Sequence, residues 1–268
     1  MTLSVVVSTF ERPAELDAVL RGLAEQSDRD FEVVVAEDGS GPETEALVES
    51  RRELFSGALV HVRQPDEGYR LALARNRAAL AAGGEYLVFM DGDCVPRRGF
   101  VAALRRAALP GWFVAGRRVE LGPELSRRAL DEQVRVQRWS TSRLALHGTR
   151  GLTALTARDR RVAGRTDVPE FEPHANAYGF LLGLSRADFE RANGFDSRFV
   201  GWGEEDVDLA VRLRRLGLRC GHAGPQATLL HLWHPSSKPD GERNAPLLAE
   251  TQESTRVEAL EGLRELEA

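Results

Sequence analysis

The 268-residue sequence predicts an α/β protein with a central mixed, mostly parallel sheet flanked by helices. Strand and helix signals alternate through the first 120 residues, which is typical of parallel strands joined by crossover helices. The stretch "YLVFMDGDC" at 86–94 places four consecutive apolar side chains before two aspartates. Such a run is typical of a strand that is covered on both faces, as in a parallel α/β sheet.

The elements of the first half follow in order. Strands are predicted at 3–8, 31–40, 58–63, 86–90 and 112–120, and helices from Pro13 onward, over 42–54 and over 70–84. Proline is favoured at the first helical position. From Pro13 the apolar side chains recur at helical spacing and share one face; they are Leu16, Val19, Leu20 and Leu23.

The second half begins with an interruption. Residues 121–170 have a helical pattern around 124–146 and then an arginine-rich stretch with weak periodicity. A segment of this kind inside a domain is usually functional or disordered. Later predictions are an ordered stretch at 178–196, a helix from near Glu204, a strand-like segment at 227–233 and a helix at 246–267. We therefore predict one domain over 1–245, made of parts 1–120, 121–170 and 171–245, followed by a C-terminal helix over 246–268.

Composition favours a soluble enzyme. Charged residues make up 29% and hydrophobic ones 42%, with a net charge of −5, which argues against a nucleic-acid partner. Cys94 and Cys220 form neither a disulfide scaffold nor a metal-binding spacing. No window approaches the roughly 18 apolar residues of a membrane span, and the first residues lack signal-peptide features. We expect a cytoplasmic protein without a transmembrane segment, with peripheral membrane attachment as the alternative.

Polar side chains follow three of the predicted strands. Thr9 and Glu11 follow the first, Asp38 follows the second, and Asp91 and Asp93 follow the fourth. Carboxyl ends of parallel strands lie on one edge, where open α/β sheets bind ligands. Both aspartates of the last pair could turn to one cation, with Gly92 letting a ligand approach the backbone, and oxygen ligands suit Mg²⁺ or Mn²⁺. A nucleotide across this edge would give its base to Asp38, its ribose to the first loop and its pyrophosphate to a metal on Asp93. The alternative is that these aspartates only mark turns.

Phosphate recognition has no glycine-rich signature, because neither G-x-G-x-x-G after the first strand nor a Walker motif occurs. Arg70 and Arg75, on or beside the helix before the aspartate strand, could instead clamp a phosphate. The alternative is a solvated helix face.

The stretch "GWGEEDVDLAVRL" at 201–213 carries an aromatic glycine turn and an acidic helix start. Trp202 lies between two glycines, and four acids follow, namely Glu204, Glu205, Asp206 and Asp208. Acids at a helix start are favoured by the helix dipole, so capping is one explanation. Four acids exceed that need, and repulsion between neighbouring carboxylates raises a pKa, which is useful in a general base.

Two histidines, His231 and His234, lie three residues apart in "LLHLWHP". A closed zinc site would need four ligands, so we expect one histidine to complete the coordination sphere of Asp93. Residues three apart on a regular strand face opposite sides. We therefore expect at most one to face the site, and favour His234 because Pro235 marks the exit from the strand, with His231 as the alternative.

These motifs, in this order, resemble those of family 2 glycosyltransferases of the GT-A fold, over roughly residues 2–240. "VVVSTFERP" looks like their first strand and nucleotide loop, which implies that Thr9, Glu11 and Arg12 contact the nucleotide, as do Asp38 and the arginines. "MDGDC" resembles their DxD motif, which assigns Asp91, Gly92 and Asp93 to the nucleotide-sugar.

The later segment "GWGEEDVDLAVRL" is similar to the W-G-x-E-D segment of chondroitin-polymerase domains and β-1,4-galactosyltransferases. The resemblance implies that Asp206 is the catalytic base, that Glu205 acts on the acceptor, and that Trp202 and Gly203 contact the acceptor. It also implies a downstream metal-binding histidine. In these terms 1–120 is the nucleotide-sugar half, 171–245 the acceptor and catalytic half, and 121–170 a variable excursion that matches nothing we can place.

The implied fold is GT-A-type and Rossmann-like, and the implied reaction is an inverting, metal-dependent transfer from a UDP-sugar to an acceptor hydroxyl, which gives a β-linkage. The sugar is expected to be a hexose or N-acetylhexosamine, and the cation Mn²⁺ or Mg²⁺. The acceptor stays open between a glycan, a lipid-linked precursor, a natural product and a protein, and a homodimer is not excluded. Two alternatives remain, namely a catalytically silent sugar-nucleotide or glycan-binding protein, and a nucleotidyltransferase.

Overall fold

The computed structural model describes residues 1–55, 59–140, 142–144, 146, 180–235 and 243–267. Its strands are β1 Leu3–Thr9, β2 Phe31–Glu37, β3 Leu59–Arg63, β4 Tyr86–Asp91, β5 Cys94–Pro96, β6 Trp112–Ala115, β7 Arg118–Glu120, β8 Leu181–Ser185, β9 Arg219–Gly221 and β10 Leu229–His231. Its helices are α1 Pro13–Ala24, α2 Pro42–Arg51, α3 Leu71–Ala81, α4 Phe100–Ala107, α5 Pro123–Leu130, α6 Arg186–Arg191, α7 Glu205–Arg215, α8 Ala245–Glu253 and α9 Arg264–Glu267.

Two sheets organise these elements. The large sheet has the order β3-β2-β1-β4-β8-β6-β9, and the small one has the order β5-β10-β7. In the large sheet β8 runs antiparallel to both of its neighbours, β4 and β6, and the other pairs are parallel. The predicted mixed, mostly parallel sheet is therefore confirmed.

The large sheet is covered on both faces. Successive residues of β4 enter different apolar clusters: Val88 and Met90 join one that includes α1, α4 and the small sheet, whereas Leu87 and Phe89 join one that includes α3, α6 and α7. This alternation explains why β4 is an unbroken apolar run. The alanines of α3 allow that helix to pack closely on the sheet.

The early elements agree with the prediction, with ends that differ by at most three residues; residues 56–58 lie outside the described residues. The predicted strand at 112–120 is wrong as a single element. It is divided into β6 and β7, which belong to different sheets. The division falls at Gly116, where an added Cβ would lie 2.2 Å from the Cβ of Leu181, so that the backbone passes too close to β8 for any side chain.

Two predicted helices are shorter than expected. The helix predicted around 124–146 is interrupted, because α5 ends at Leu130 and Glu132 has a φ of 57°, whereas residues 142–144 and 146 are helical again. Most of the rest of the predicted 121–170 excursion lies outside the described residues. The terminal helix predicted at 246–267 is divided into α8 and α9. Between them the chain bonds to an earlier loop, since Ala259 N–H donates to Ala192 and Leu263 N–H donates to Asn193, at 2.9 and 3.1 Å.

Candidate active site

The carboxyl ends of β1, β2 and β4 lie level with one another at one edge of the large sheet. In the register of these parallel strands Thr9 pairs with Glu37, and Ser8 pairs with Asp91. The N–H of Asp38 donates to the carbonyl oxygen of Thr9 at 3.1 Å, which holds the first two loops together. The polar residues predicted to share an edge do share it.

Asp38 is buried beneath the start of α3. It accepts from the N–H of Arg70 at 2.7 Å and from the side chain of Gln64. Burial raises the pKa of Asp38, and these hydrogen bonds oppose the shift. The guanidinium of Arg70 donates to Glu67 and to the carbonyl of Pro65, at 2.6 and 2.8 Å. A phosphate contact from Arg70 would therefore require these bonds to open.

The loop after β1 is tied to the loop after β2. Glu11, with a φ of 50°, accepts from the N–H of Gly41 at 2.6 Å and donates its own N–H to Ser40 Oγ at 3.0 Å. Arg12 follows as the N-cap of α1. The Oγ1 of Thr9 is buried and has no hydrogen-bond partner among the described residues. Because buried hydroxyls are normally paired, this atom is suited to a ligand.

Gly92 is required by a contact with β1. Its N–H donates to the carbonyl oxygen of Ser8 at 2.8 Å, and an added Cβ would lie 2.6 Å from the same oxygen. Close approach of a neighbouring strand is therefore enough to require glycine here, and approach of a ligand to this backbone stays a prediction. The tight turn also separates Asp91 from Asp93, and the two carboxylates face different partners.

Asp93 faces both histidines. Its Oδ2 lies 3.6 Å from His231 Nε2 and 3.2 Å from His234 Nε2, and its Oδ1 accepts from Cys94 Sγ at 3.4 Å. The Nδ1 of His231 bonds to Glu120. Burial acts to raise the pKa of Asp93, but the two histidines outweigh it and hold that pKa far below its usual range. Burial acts to lower the pKa of His231, but hydrogen bonds to both carboxylates raise it to about 9.

The expectation that at most one histidine faces the site is wrong. It assumed a regular strand through both residues, whereas β10 ends at His231. Leu232 N–H then donates to the carbonyl oxygen of Asp93 at 2.9 Å, and the chain turns so that His234 comes back to the same carboxylate. The two imidazole centroids are 5.1 Å apart.

Arg75 joins the end of β4 to the start of α7. Its guanidinium is only 1% exposed and donates to Asp91 at 3.1 Å, to Glu205 at 3.0 Å and to Ser8 Oγ at 3.2 Å. It also lies 5.3 Å from the ring centroid of Phe195. These contacts engage the guanidinium with protein groups, so that Arg75 is placed to hold two carboxylates together.

The acidic helix start contains residues with different environments. Glu205 is buried, and burial together with Asp206 raises its pKa to about 7 against the opposing effect of Arg75. Asp206 is half-buried and accepts the N–H of Val207 at 2.7 Å. Asp208 is fully buried and paired with Arg212 at 2.6 Å, which accounts for this acid by packing alone.

The glycine turn before α7 is conformationally demanding. Gly201 and Gly203 have φ values of 91° and 90°, and the N-cap Glu204 has a φ of 76°. The buried Asn244 donates to the carbonyl oxygen of Gly203 at 2.8 Å. The half-buried Trp202 lies between the two glycines, so that the predicted acceptor loop adjoins the two acids.

Two regions of the chain match known protein families. Residues 4–158, more than half of the chain, match the family described as glycosyl transferase family 2. The chain belongs to this family. Residues 161–234 also match the N-terminal domain of galactosyltransferase. The family predicted from the sequence motifs is therefore confirmed.

Several curated relatives are similar to this family 2 glycosyltransferase. Validoxylamine A glucosyltransferase of Streptomyces hygroscopicus subsp. jinggangensis (strain 5008) is 33% identical over 227 residues, which are 81% of this chain and 52% of the relative. Chondroitin synthase of Escherichia coli is 27% identical over 80% of this chain and 32% of its own length. β-1,4-galactosyltransferase 2 of Mus musculus is 43% identical over 47 residues, which are 18% of this chain and 13% of that protein. The chain spans about half the length, or less, of these relatives.

Solved structures support the GT-A fold. The mannosyltransferase PcManGT of Pyrobaculum calidifontis, in complex with GDP-Man and Mn²⁺, has a TM-score of 0.57 and 22% identity, over 88% of this chain and 58% of that one. GalNAc-T7 with UDP, GalNAc and Mn²⁺ has a TM-score of 0.64 and 17% identity, over 93% of this chain and 48% of that one.

Among the residues that the structure describes, every helix is too short or too polar to traverse a bilayer.

Some residues of the site were not identified from the sequence of this family 2 member. Glu120 meets His231 across 111 residues of sequence, and Asn244 meets Gly203 across 41. Neither residue has a local pattern that predicts these contacts, since they depend on strand pairing and chain return.

Proposed function

We propose that this family 2 glycosyltransferase moves a sugar from a UDP-sugar to an acceptor hydroxyl with inversion, and that it uses a bound divalent cation. The observation that carries the proposal is the double contact of Arg75 with Asp91 and Glu205. This contact brings the expected donor-side carboxylates of β4 next to the expected acceptor-side carboxylates of α7. A transferase needs both sets at one reacting centre.

Asp93, His231 and His234 are the residues proposed to hold the cation. The Nε2 atoms of His231 and His234 lie 3.6 and 3.2 Å from Asp93 Oδ2. The donor atoms of Asp93, Cys94 and His231 lie within 4.8 Å of one another. Two nitrogen donors favour Mn²⁺ over Mg²⁺, which prefers oxygen and retained water. What a bound cation supplies there is stabilisation of the charge that develops on the departing diphosphate.

The chain's own residues divide the remaining tasks. Asp38 would accept from the uracil, while Thr9 and the adjoining Glu11 and Arg12 would contact the nucleoside. The orphan hydroxyl of Thr9 supports this assignment, because a ligand would satisfy it. Asp91, held by Arg75, would face the donor sugar.

Asp206 is the proposed general base. It would take the proton from the acceptor hydroxyl as that oxygen attacks the anomeric carbon, in a single displacement that converts an α-linked donor into a β-linked product. The buried Glu205 would orient the same hydroxyl, and Trp202 and Gly203 would contact the rest of the acceptor. A half-buried base next to a buried carboxylate suits this division of roles.

UDP-glucose is the first donor to test. A relative that is 33% identical is named a glucosyltransferase, and a structural neighbour, TarS of S. aureus, is known in complex with UDP-GlcNAc. UDP-N-acetylhexosamines and GDP-mannose are the other donors to test. A natural product, a glycan, a lipid-linked precursor or a protein could supply the acceptor hydroxyl.

The metal and donor site is tested by calorimetry of UDP with Mn²⁺ and with EDTA. We expect Mn²⁺-dependent binding to the wild type. In Asp93→Ala the affinity for UDP in the presence of Mn²⁺ should fall by more than the ~10 to 100-fold that is typical when a residue behind a metal ligand is removed. Asp131→Ala, on the exposed end of α5, is the control and should bind like the wild type. Equal binding with Mn²⁺ and with EDTA would refute the metal site.

The base is tested by the slow release of UDP from UDP-sugars without acceptor, where water takes the place of the hydroxyl. Asp206→Asn should lower this turnover by ~10² to 10⁴-fold and leave Mn²⁺-dependent UDP binding intact, whereas the neighbouring Glu204→Gln should retain turnover. Near-normal turnover in Asp206→Asn would show that another group is the base. A wild type that binds UDP-sugars but never cleaves them would instead be a binding protein.

A further inference from the structure

Glu120 lies behind the imidazole of His231 as seen from Asp93. β7 and β10 are parallel neighbours in the small sheet, and their register pairs Glu120 with His231. The carboxylate bonds to His231 Nδ1, whereas Nε2 is the atom that faces Asp93 Oδ2 at 3.6 Å. Since the two nitrogens lie on different sides of the ring, Glu120 contacts the histidine from the side away from the proposed cation.

Glu120 is itself held in place. Its Oε1 accepts from Arg118 Nε at 2.7 Å, and the guanidinium of Arg118 lies 4.9 Å from the ring centroid of Phe180. The carboxylate thus bridges an arginine and a histidine, with one oxygen for each. Such a bridge restricts the rotation of the Glu120 side chain and therefore of the imidazole that it contacts.

His234 has a weaker support. Its Nδ1 lies 3.0 Å from the carbonyl oxygen of the adjacent Pro235, a local contact without a charge. Its side chain is also more exposed than that of His231, at 24% against 11%. Among the residues that the structure describes, His231 is therefore the histidine that a second carboxylate besides Asp93 holds in place.

We propose that Glu120 is a positioning residue of the metal site, which fixes the ring and the tautomer of His231 so that the Nε2 lone pair points at the cation held by Asp93. A carboxylate that accepts from Nδ1–H keeps the proton on that nitrogen and makes Nε2 a better donor atom. This inference rests on the proposed function, because it presumes a cation at Asp93.

The test is a titration of Mn²⁺ in the presence of UDP, read from the signal of free Mn²⁺ in electron paramagnetic resonance. Glu120→Ala should weaken Mn²⁺ binding by ~10 to 100-fold, and Glu120→Gln, which keeps an acceptor oxygen without the charge, should lose less. Glu124→Gln is the control, because Glu124 forms an exposed pair with Arg127. Glu120 is half exposed, and thermal unfolding should show that these variants stay folded.

A double-mutant cycle separates positioning from a general structural role. In a His231→Ala background, Glu120→Ala should weaken Mn²⁺ binding no further, because the residue through which it acts is gone. If the fold-losses in Mn²⁺ affinity of the two single substitutions multiply in the double variant, the proposal is wrong. It is also wrong if Glu120→Ala binds Mn²⁺ with wild-type affinity. If the wild type binds Mn²⁺ and Glu120→Ala binds it equally well, this inference alone is wrong. If the wild type does not bind Mn²⁺, the proposed function is wrong as well.

Discussion

Arg75 has its guanidinium almost wholly inside the protein, between two carboxylates that are far apart in sequence. Asp91 is 16 residues away and Glu205 is 130 residues away. The next residue, Asn76, donates to the carbonyl of Phe195 at 2.8 Å and accepts from its N–H at 2.9 Å. Two adjacent residues of α3 thus hold the segment that leads into α7, and this arrangement favours a positioning role for Arg75 over a phosphate contact.

Replacing Arg75 should therefore affect stability and turnover more than nucleotide binding. Arg75→Met leaves two carboxylates without their cation and should lower the free energy of unfolding by about 3 to 5 kcal/mol, measured by urea denaturation. Arg75→Lys keeps the charge but cannot reach three partners, and should slow UDP-sugar hydrolysis with little change in UDP affinity. Arg77→Lys, on the same helix, is the control. If Arg75→Lys loses UDP affinity as far as Asp93→Ala does, the phosphate clamp is correct instead.

The site residues that could be predicted are those marked by local pattern. Asp91 and Asp93 follow a run of apolar residues, and Glu205 and Asp206 follow a glycine turn, so that the adjacent sequence identifies all four. Glu120 could not be predicted, because its partner His231 is fixed by the pairing of β7 with β10. A short strand next to a poorly periodic segment gives no such register in the sequence.

The parallel core of the large sheet was predictable because each of its strands is a local apolar run bounded by turn residues. The division between β6 and β7 was not, since it depends on Gly116 meeting Leu181 from a distant part of the chain. Non-local contacts also interrupt the helix that was predicted over 246–267. Residues between α8 and α9 leave the helical pattern because Arg215 donates to the carbonyls of Thr251 and Arg256, at 2.9 and 3.1 Å.

These non-local contacts concern the elements that carry the proposed acceptor side. α8 and the segment after it pack on α7, and the buried Thr251 donates to Asp208 Oδ1 at 2.6 Å. The proposed donor side rests instead on β1, β2 and β4, each of which is a local apolar run in the sequence. This difference explains why the sequence predicted the sheet edge at β1, β2 and β4 in more detail than the turn that returns His234 to Asp93 or the contacts that support α7.

Burial of the Glu205 carboxylate makes the free energy of unfolding of the whole protein depend on pH. Glu205 has an ordinary pKa near 4.5 that burial raises to about 7 in the folded protein. Between these values the folded state binds more protons than the unfolded state, so that the free energy of unfolding falls as pH rises. Below about pH 4.5 both states are protonated and this cost is absent, and above about pH 7 it is fully present.

Glu205→Gln should remove this cost. Relative to the wild type, the variant should become more stable by about 1 to 3 kcal/mol as pH rises from 5 to 8, because a neutral amide needs no proton to remain buried beside Asp91. Urea unfolding of both proteins at each pH measures the difference, and Glu124→Gln, on the exposed face of α5, should follow the wild type. A difference between wild type and Glu205→Gln that stays constant from pH 5 to 8 would mean that Glu205 keeps an ordinary pKa, and that Arg75 compensates its charge in full.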